Sequence, residues 1–130
     1  MFRLLVKSEF SAAHNLREYK GKCEELHGHN WKVEIVVTAK KADRQGLVID
    51  FHEIKSALQQ VLEELDHKYL NQLAYFKKNN PTSENLARYI YGKLYRKSQI
   101  ANRKSQMVNG KLQEVTVWES DNCSATYSKR

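Results

Sequence analysis

Two stretches of strict alternation constrain this chain more than any other feature. From Phe2 to His14 the even positions read Phe2, Leu4, Val6, Ser8, Phe10, Ala12 and His14, so a β-strand there carries His14 at the end of its apolar face. From His27 to Val37 the odd positions read His27, His29, Trp31, Val33, Ile35 and Val37, which puts two histidines on the apolar face of a second strand. Joined as a hairpin, the strands turn three imidazoles inward at one end of a sheet. Three neutral imidazoles with a fourth position open to water or substrate are the ligand set of a catalytic zinc, whereas closed structural sites usually have four ligands rich in thiolate. The bland alternative is three unrelated polar residues at strand ends, which for a lone histidine would be the better reading. Gly28, between two of the candidate ligands, is expected to let a metal-bound substrate approach the backbone closely.

A chain of 130 residues with 41% hydrophobic and 10% aromatic content suits a single domain over residues 1–130, large enough to bury roughly two thirds of its unfolded surface. No apolar run reaches membrane-spanning length, and the short apolar start from Met1 to Val6 lacks the extent and cleavage site of a signal peptide. The expectation is therefore a cytoplasmic protein without a membrane partner, with Cys23 and Cys123 as reduced thiols. The formal charge is +7. Its lysines and arginines are scattered, with one denser stretch from Arg96 to Lys111 and no basic-aromatic ladder, so no nucleic-acid partner is expected. Either a solvated basic surface or an anionic small substrate accounts for that charge.

Strand one is expected over about Phe2 to Ala13, a polar loop over Asn15 to Leu26, and strand two over about His27 to Ala39. Lys40 to Gly46 reads as a turn. Asp50 and Glu53 make a capping-box-like helix start, and Ile54, Leu58, Val61, Leu62 and Leu65 follow at helical spacing to a helix ending at Asp66-His67. The only proline, Pro81, precedes a second start in which Thr82 or Ser83 can cap, with Leu86, Ile90 and Leu94 as the buried row to about Lys97. Ser98 to Gln106 is polar enough to be a mobile loop. Asn109-Gly110 is a turn dipeptide, Leu112 to Glu119 alternates as a strand, and Asp121-Asn122 turns it toward a last strand, Cys123 to Tyr127. The order β-β-α-α-β-β predicts an α+β fold: a four-stranded antiparallel sheet with both helices on one face. Edge-to-edge assembly into a closed barrel of several subunits would satisfy its two edges.

Other residues stand where they can serve a metal-bound substrate. Cys23 lies four residues before His27, and a thiol near zinc or a histidine has a lowered pKa that makes its thiolate available as base or nucleophile. Asp66 can orient His67 or tune its proton affinity; a helix-terminal histidine favoured by the macrodipole is the alternative. Glu119 shares parity with Val115 and Val117, and a buried carboxylate needs partners that a ligand with adjacent N–H donors would supply. An exposed strand end explains it equally simply. Thr82 and Glu84 have helix-start explanations of their own, and His52 reads as an exposed first-turn residue.

Phe10-Ser11-Ala12-Ala13-His14, Cys23-Glu24-Glu25-Leu26-His27-Gly28-His29-Asn30, Val48-Ile49-Asp50-Phe51, Leu65-Asp66-His67-Lys68-Tyr69-Leu70-Asn71, Pro81-Thr82-Ser83-Glu84-Asn85 and Trp118-Glu119-Ser120 together resemble the 6-pyruvoyl-tetrahydropterin synthase family, especially its 6-carboxytetrahydropterin synthase branch. The resemblance covers nearly the whole chain. It implies the T-fold, zinc bound by His14, His27 and His29, a catalytic group of Cys23, Asp66 and His67, and Glu119 anchoring a pterin ring. Thr82 and Glu84 look like additional pterin-pocket residues. The implied substrate is 7,8-dihydroneopterin triphosphate, and the implied assembly is a trimer-based barrel, expected as a hexamer, with active sites at subunit interfaces. Basic residues in the loop from Arg17 to Lys22 are candidates to hold the triphosphate. Three residues between Cys23 and His27 resemble the carboxy branch, whose product is an early intermediate of queuosine and related deazapurines. Glu24 also fits the Glu-x-x-His-Gly-His pattern of members that form 6-hydroxymethyldihydropterin for folate synthesis. A lyase releasing acetaldehyde and triphosphate is thus expected, with pyruvoyl formation or a dual activity through Glu24 as alternatives.

Overall fold

In a computed structural model, which describes residues 1–102 and 110–129, the sheet is built around the expected hairpin. Strand β1 (Phe2–His14) pairs antiparallel with β2 (His27–Ala39) without interruption, from Phe2 opposite Ala39 to His14 opposite His27. Strand β4 (Gly110–Ser120) adds to β2, and β5 (Cys123–Tyr127) adds to β4, both antiparallel. A two-residue strand, β3 (Lys68–Tyr69), pairs parallel to Ala12 and Ala13 on the far side of β1. The sheet is therefore mixed and five-stranded, in the order β3-β1-β2-β4-β5, rather than four-stranded and antiparallel. Two residues are too few to show an alternation, which is why β3 escapes a reading of the pattern.

Helix α1 (Phe51–Glu63) starts where Asp50 accepts a hydrogen bond from the His52 N–H at 2.9 Å, and its row of Ile54, Leu58, Val61 and Leu62 is buried. It ends three residues before the expected Asp66-His67. Helix α2 (Ala74–Lys78), unforeseen because five residues carry too little periodicity, follows a 3-10 turn over Leu70–Gln72. Helix α3 (Ser83–Asn102) is capped by Thr82, whose Oγ1 accepts the Asn85 N–H at 3.1 Å. That decides between Thr82 and Ser83 as the cap. The helix runs through Ser98 to Asn102 where a mobile loop was expected; the rest of that segment and Asn109 lie outside the described residues.

The core lies on one face of the sheet. Val6 and Phe10 from β1, Trp31, Val33, Ile35 and Val37 from β2, and Val115 and Val117 from β4 meet Leu58, Val61, Leu62, Leu86, Ile90 and Leu94 from α1 and α3. Each of these large side chains contributes about 1.5–3 kcal/mol by leaving water. The opposite face is polar, with Lys32 bonded to Asp121 at 2.9 Å and Thr116 to Thr126 at 2.6 Å. No described helix is long and apolar enough to cross a membrane.

Candidate active site and metal centre

His14, His27 and His29 stand together at the end of the hairpin where His14 pairs with His27, and one ring nitrogen of each lies within 4.8 Å of the other two. The hydrogen bonds around them decide their tautomers. The His14 Nδ1–H donates to the Pro81 carbonyl at 2.7 Å, and the His27 Nδ1–H donates to the Glu25 carbonyl at 2.9 Å. A carbonyl can only accept, so each neutral ring holds its proton on Nδ1 and leaves Nε2 as a bare lone pair. Those two Nε2 atoms are 3.1 Å apart. Lone pairs so placed repel unless a cation lies between them, and two ligands at metal–nitrogen distances of about 2.05 Å in a tetrahedron are separated by about 3.3 Å.

The third ligand supports the same reading. Among the described residues His29 Nε2 is buried without a hydrogen-bond partner, with Glu119 Oε1 3.7 Å away, and such an orphaned group costs about 1–3 kcal/mol. Burial, the largest influence, pushes His14 below the ordinary histidine value of 6.5 against the Pro81 carbonyl, which pulls upward. That keeps the ring in its neutral, ligating form. At 2% exposure His14 is the most withdrawn of the three. Trp31 closes the floor, edge-on to His14 and His29 with ring centres at 4.8 and 5.1 Å, and its indole N–H donates to the Ala12 carbonyl at 3.2 Å. The donor set fits a divalent metal with a preference for imidazole.

Gly28 does not serve as expected. It pairs with Ala13, so its missing side chain would stand on the opposite face from the imidazoles, and a Cβ there would meet only the Ala12 carbonyl at 3.6 Å.

Asp66 and His67 form a second group. After α1 the chain turns through Glu64, Leu65 and Asp66, whose N–H groups bond back to Val61 and Leu62, and His67 takes a left-handed φ of 58°. That conformation is uncommon for any residue but glycine and concentrates at functional positions. Ser11 on β1 holds it by two backbone bonds: its N–H donates to Asp66 Oδ1 at 2.9 Å, and its carbonyl accepts the His67 N–H at 2.6 Å. Asp66 Oδ2 then lies 3.0 Å from His67 Nδ1, with the His67 side chain 82% exposed. The Ser11 N–H foremost, and the His67 ring after it, hold the Asp66 carboxyl below the usual carboxylate range.

Glu119 occupies a bulge. The ladder to β5 passes from Trp118 opposite Ser124 to Ser120 opposite Cys123 and skips Glu119, and bulges re-aim a side chain in this way. The carboxylate reaches toward His29 while remaining 41% exposed, so the parity expected from Val115 and Val117 holds but full burial does not. Cys23 is exposed in its loop. Among the described residues no hydrogen bond or ion pair joins it to the triad or to the Asp66–His67 pair. Glu24 accepts the Leu16 N–H at 3.1 Å and lies 3.9 Å from His27 Nδ1. Thr82 caps the helix through an accepting Oγ1, Glu84 is exposed on the first turn of α3, and His52 is exposed as expected. Of the loop's basic residues, Arg17 is committed to structure, with Nη2 donating to the Phe76 carbonyl at 2.6 Å.

A set of asparagines escaped the sequence reading. Asn71 bonds both backbone groups of Asn15, at 3.0 and 2.8 Å, and Asn80 bonds both of Arg17, at 2.9 and 3.0 Å. Each amide side chain replaces a strand partner for a loop that has none. The only signal was asparagine itself, flanking Tyr69-Leu70 and Pro81.

Residues 3–130 match the family model described as 6-pyruvoyl tetrahydropterin synthase. A 6-carboxy-5,6,7,8-tetrahydropterin synthase of Rickettsia bellii (strain RML369-C) is 32% identical over 140 residues, spanning 95% of this chain and 97% of that protein. A dihydroneopterin monophosphate aldolase of Pyrococcus furiosus is 33% identical over 119 residues, spanning 92% and 90%. The solved structure of 6-pyruvoyl tetrahydropterin synthase from Caenorhabditis elegans superposes with a TM-score of 0.77 at 26% identity, over 99% of this chain and 96% of that one, so the α+β architecture is the T-fold. By sequence and by fold, this chain belongs to the 6-pyruvoyl tetrahydropterin synthase family and is an enzyme, a lyase of the pterin-synthase kind.

Proposed function

We propose that this chain converts 7,8-dihydroneopterin triphosphate to 6-carboxy-5,6,7,8-tetrahydropterin with loss of acetaldehyde and triphosphate, a step toward deazapurines such as queuosine. The observation that carries the reading is the convergence of His14, His27 and His29 through nitrogens whose tautomers leave their lone pairs unspent. We assign the metal as zinc. When bound, it supplies Lewis acidity that polarises the substrate's side-chain oxygens and acidifies the carbons beside them.

The remaining chemistry falls to the chain's own groups. Cys23, open to solvent, takes a proton as its thiolate. His67, with Nδ1 against Asp66 and the rest of the ring exposed, gives and receives protons at Nε2, while the ionised Asp66 steadies the charged ring. Glu119 accepts from adjacent N–H donors of the pterin ring, with Thr82 and Glu84 in supporting positions. Ser11, which holds the dyad, is three residues from His14, a separation of about 10 Å along a strand. Among the described residues no hydrogen bond or ion pair joins the thiol to the dyad either. Both features suit active sites completed at subunit interfaces, in a trimer-based barrel or hexamer closed through β5 and the long unpaired edge of β1.

A second reading, cleavage to 6-hydroxymethyl-7,8-dihydropterin, has its own support in the 33% identity to the Pyrococcus furiosus aldolase and in the placement of Glu24. Mass spectrometry of all pterin products from purified zinc-loaded protein and 7,8-dihydroneopterin triphosphate, beside an acetaldehyde assay, separates the readings. Carboxytetrahydropterin with acetaldehyde supports the first. A hydroxymethyl product alone replaces it with the second, and a pyruvoyl product without acetaldehyde places the chain with the pyruvoyl-forming members.

A further inference from the structure

The segment that leads into α3 is built as a fixed turn. Pro81 is buried, and the Thr82 N–H donates to the Asn80 carbonyl at 2.8 Å, closing a three-residue γ-turn around it. The proline ring presets φ and the bond across the turn sets ψ, so the direction of the Pro81 carbonyl is determined. Asn85, on the first turn of α3, adds a second bond to the same Asn80 carbonyl, from Nδ2 at 2.8 Å, while its own backbone N–H donates to the Thr82 cap. The Asn80 side chain fastens the turn to the chain just past β1 by clasping the N–H and carbonyl of Arg17 at 2.9 and 3.0 Å. So aimed, the Pro81 carbonyl meets His14 Nδ1 at 2.7 Å.

A neutral imidazole can carry its proton on either nitrogen, and the two choices give His14 different partners. On Nδ1 the proton meets the Pro81 carbonyl; on Nε2 it would meet the Nε2 lone pair of His27, 3.1 Å away. The second choice closes a hydrogen bond across the space where the three ring nitrogens converge and removes the His14 lone pair from it. We infer that Asn85 is a positioning residue for the candidate metal ligand His14: by holding the Asn80–Pro81 turn it keeps the Pro81 carbonyl against Nδ1, and so keeps Nε2 free of its proton. The inference rests on the metal-centre reading of the three histidines. Because Asn85 acts through a donor, its chemistry can be separated from its bulk. Aspartate keeps the size of asparagine but sets an acceptor oxygen against the Asn80 carbonyl, whereas alanine removes the bond without opposing it.

The test uses the whole chain and two readouts that need no turnover: nitrogen-15 NMR of the His14 ring in the zinc-free protein, which reports its tautomer, and the zinc dissociation constant by chelator competition. The wild type is expected to hold the His14 proton on Nδ1. N85D is expected to move a measurable share of it to Nε2 and to weaken zinc binding about 10- to 100-fold, the range of a lost outer-shell partner. N85A should shift both readouts the same way by less, and it serves where N85D does not fold. I90V, in the buried row of the same helix, loosens the fold without touching the turn and should leave both readouts at wild-type values. The inference is overturned if N85D and N85A keep the wild-type tautomer and zinc affinity, or if I90V weakens zinc binding as much as they do. A wild-type protein that binds no zinc would count against the metal centre, whereas an unchanged His14 tautomer in zinc-free N85D would count against the role of Asn85.

Discussion

Titrating the metal-free protein with zinc while following its melting temperature tests the metal centre apart from any catalysis. Three ring nitrogens lie within 4.8 Å of one another; two are bare lone pairs 3.1 Å apart and the third is buried without a partner. The folded chain therefore presents a site that the unfolded chain lacks. Through His14 and its bond to Pro81 that site joins the β1–β2 hairpin to the segment leading into α3. At free zinc one hundred times the dissociation constant, binding to the folded state alone stabilises by about 2.7 kcal/mol. With an unfolding entropy of about 2.1 cal/mol/K per residue, 130 residues give about 0.27 kcal/mol/K, so the melting temperature should rise by about 10 °C. The control is His29→Ala at the same zinc and protein concentrations. If the lost ligand weakens binding only a hundredfold, the stabilisation falls to RT ln 2, about 0.4 kcal/mol, and the shift to about 1.5 °C. Scanning calorimetry reads both. No zinc-dependent shift in the wild type, or an equal shift in His29→Ala, refutes the argument.

Cys23→Ala should abolish turnover while bound zinc stays stoichiometric by elemental analysis, because Cys23 makes no bond to the triad; substantial activity in that variant would end its assignment as the thiolate. For Asp66, the native pKa lies below the ordinary 3.8. Its contacts with Ser11 and His67 therefore stabilise the fold fully above about pH 4 and lose that contribution as the pH falls through the lowered native value. A carbon-13 titration of the Asp66 carboxyl should show a midpoint below 3.8, and a midpoint at or above it would contradict the hydrogen-bond geometry. At Gly110 an added Cβ would run into Ile49 Cδ1 and stand 3.3 Å from Val37 Cγ1. Gly110→Ala should cost about 1–3 kcal/mol in urea unfolding, and pairing it with Ile49→Val should recover part of that cost, whereas additive losses would mean the contact is not the cause.

What was legible in the sequence was whatever has a period. A strand alternates side chains between two faces whatever its surroundings, so the even row from Phe2 and the odd row from His27 bring His14, His27 and His29 to one face once the hairpin closes. The row from Ile54 to Leu62 likewise gave α1. What was not legible lacks a period. The two residues of β3 and the left-handed His67 depend on Ala12, Ala13 and Ser11, far away in sequence, and the five residues of α2, closed by local bonds to Leu73 and Tyr75, are too few to show a period. The bulge at Glu119 leaves the carboxylate part-exposed without changing the alternation around it.

The two kinds of information divide the site along the same line. The candidate metal ligands sit on long strands, where regular geometry and buried neighbours set each imidazole. The groups proposed to handle protons sit on irregular segments: Cys23 in a loop, Asp66 and His67 in a turn, each fixed by single side chains such as Glu24 and Asn15 or by one backbone residue, Ser11. Strand positions tolerate little drift in sequence without losing the core, whereas a loop hydrogen bond can be exchanged at small cost in stability. Within one family the metal centre should therefore vary least and the acid–base groups most. Relatives with one fold but different named reactions, such as the Rickettsia bellii synthase and the Pyrococcus furiosus aldolase, are what that division leads one to expect. The residues that distinguish such products should then be sought among the supports of the Cys23 loop before they are sought in the metal shell.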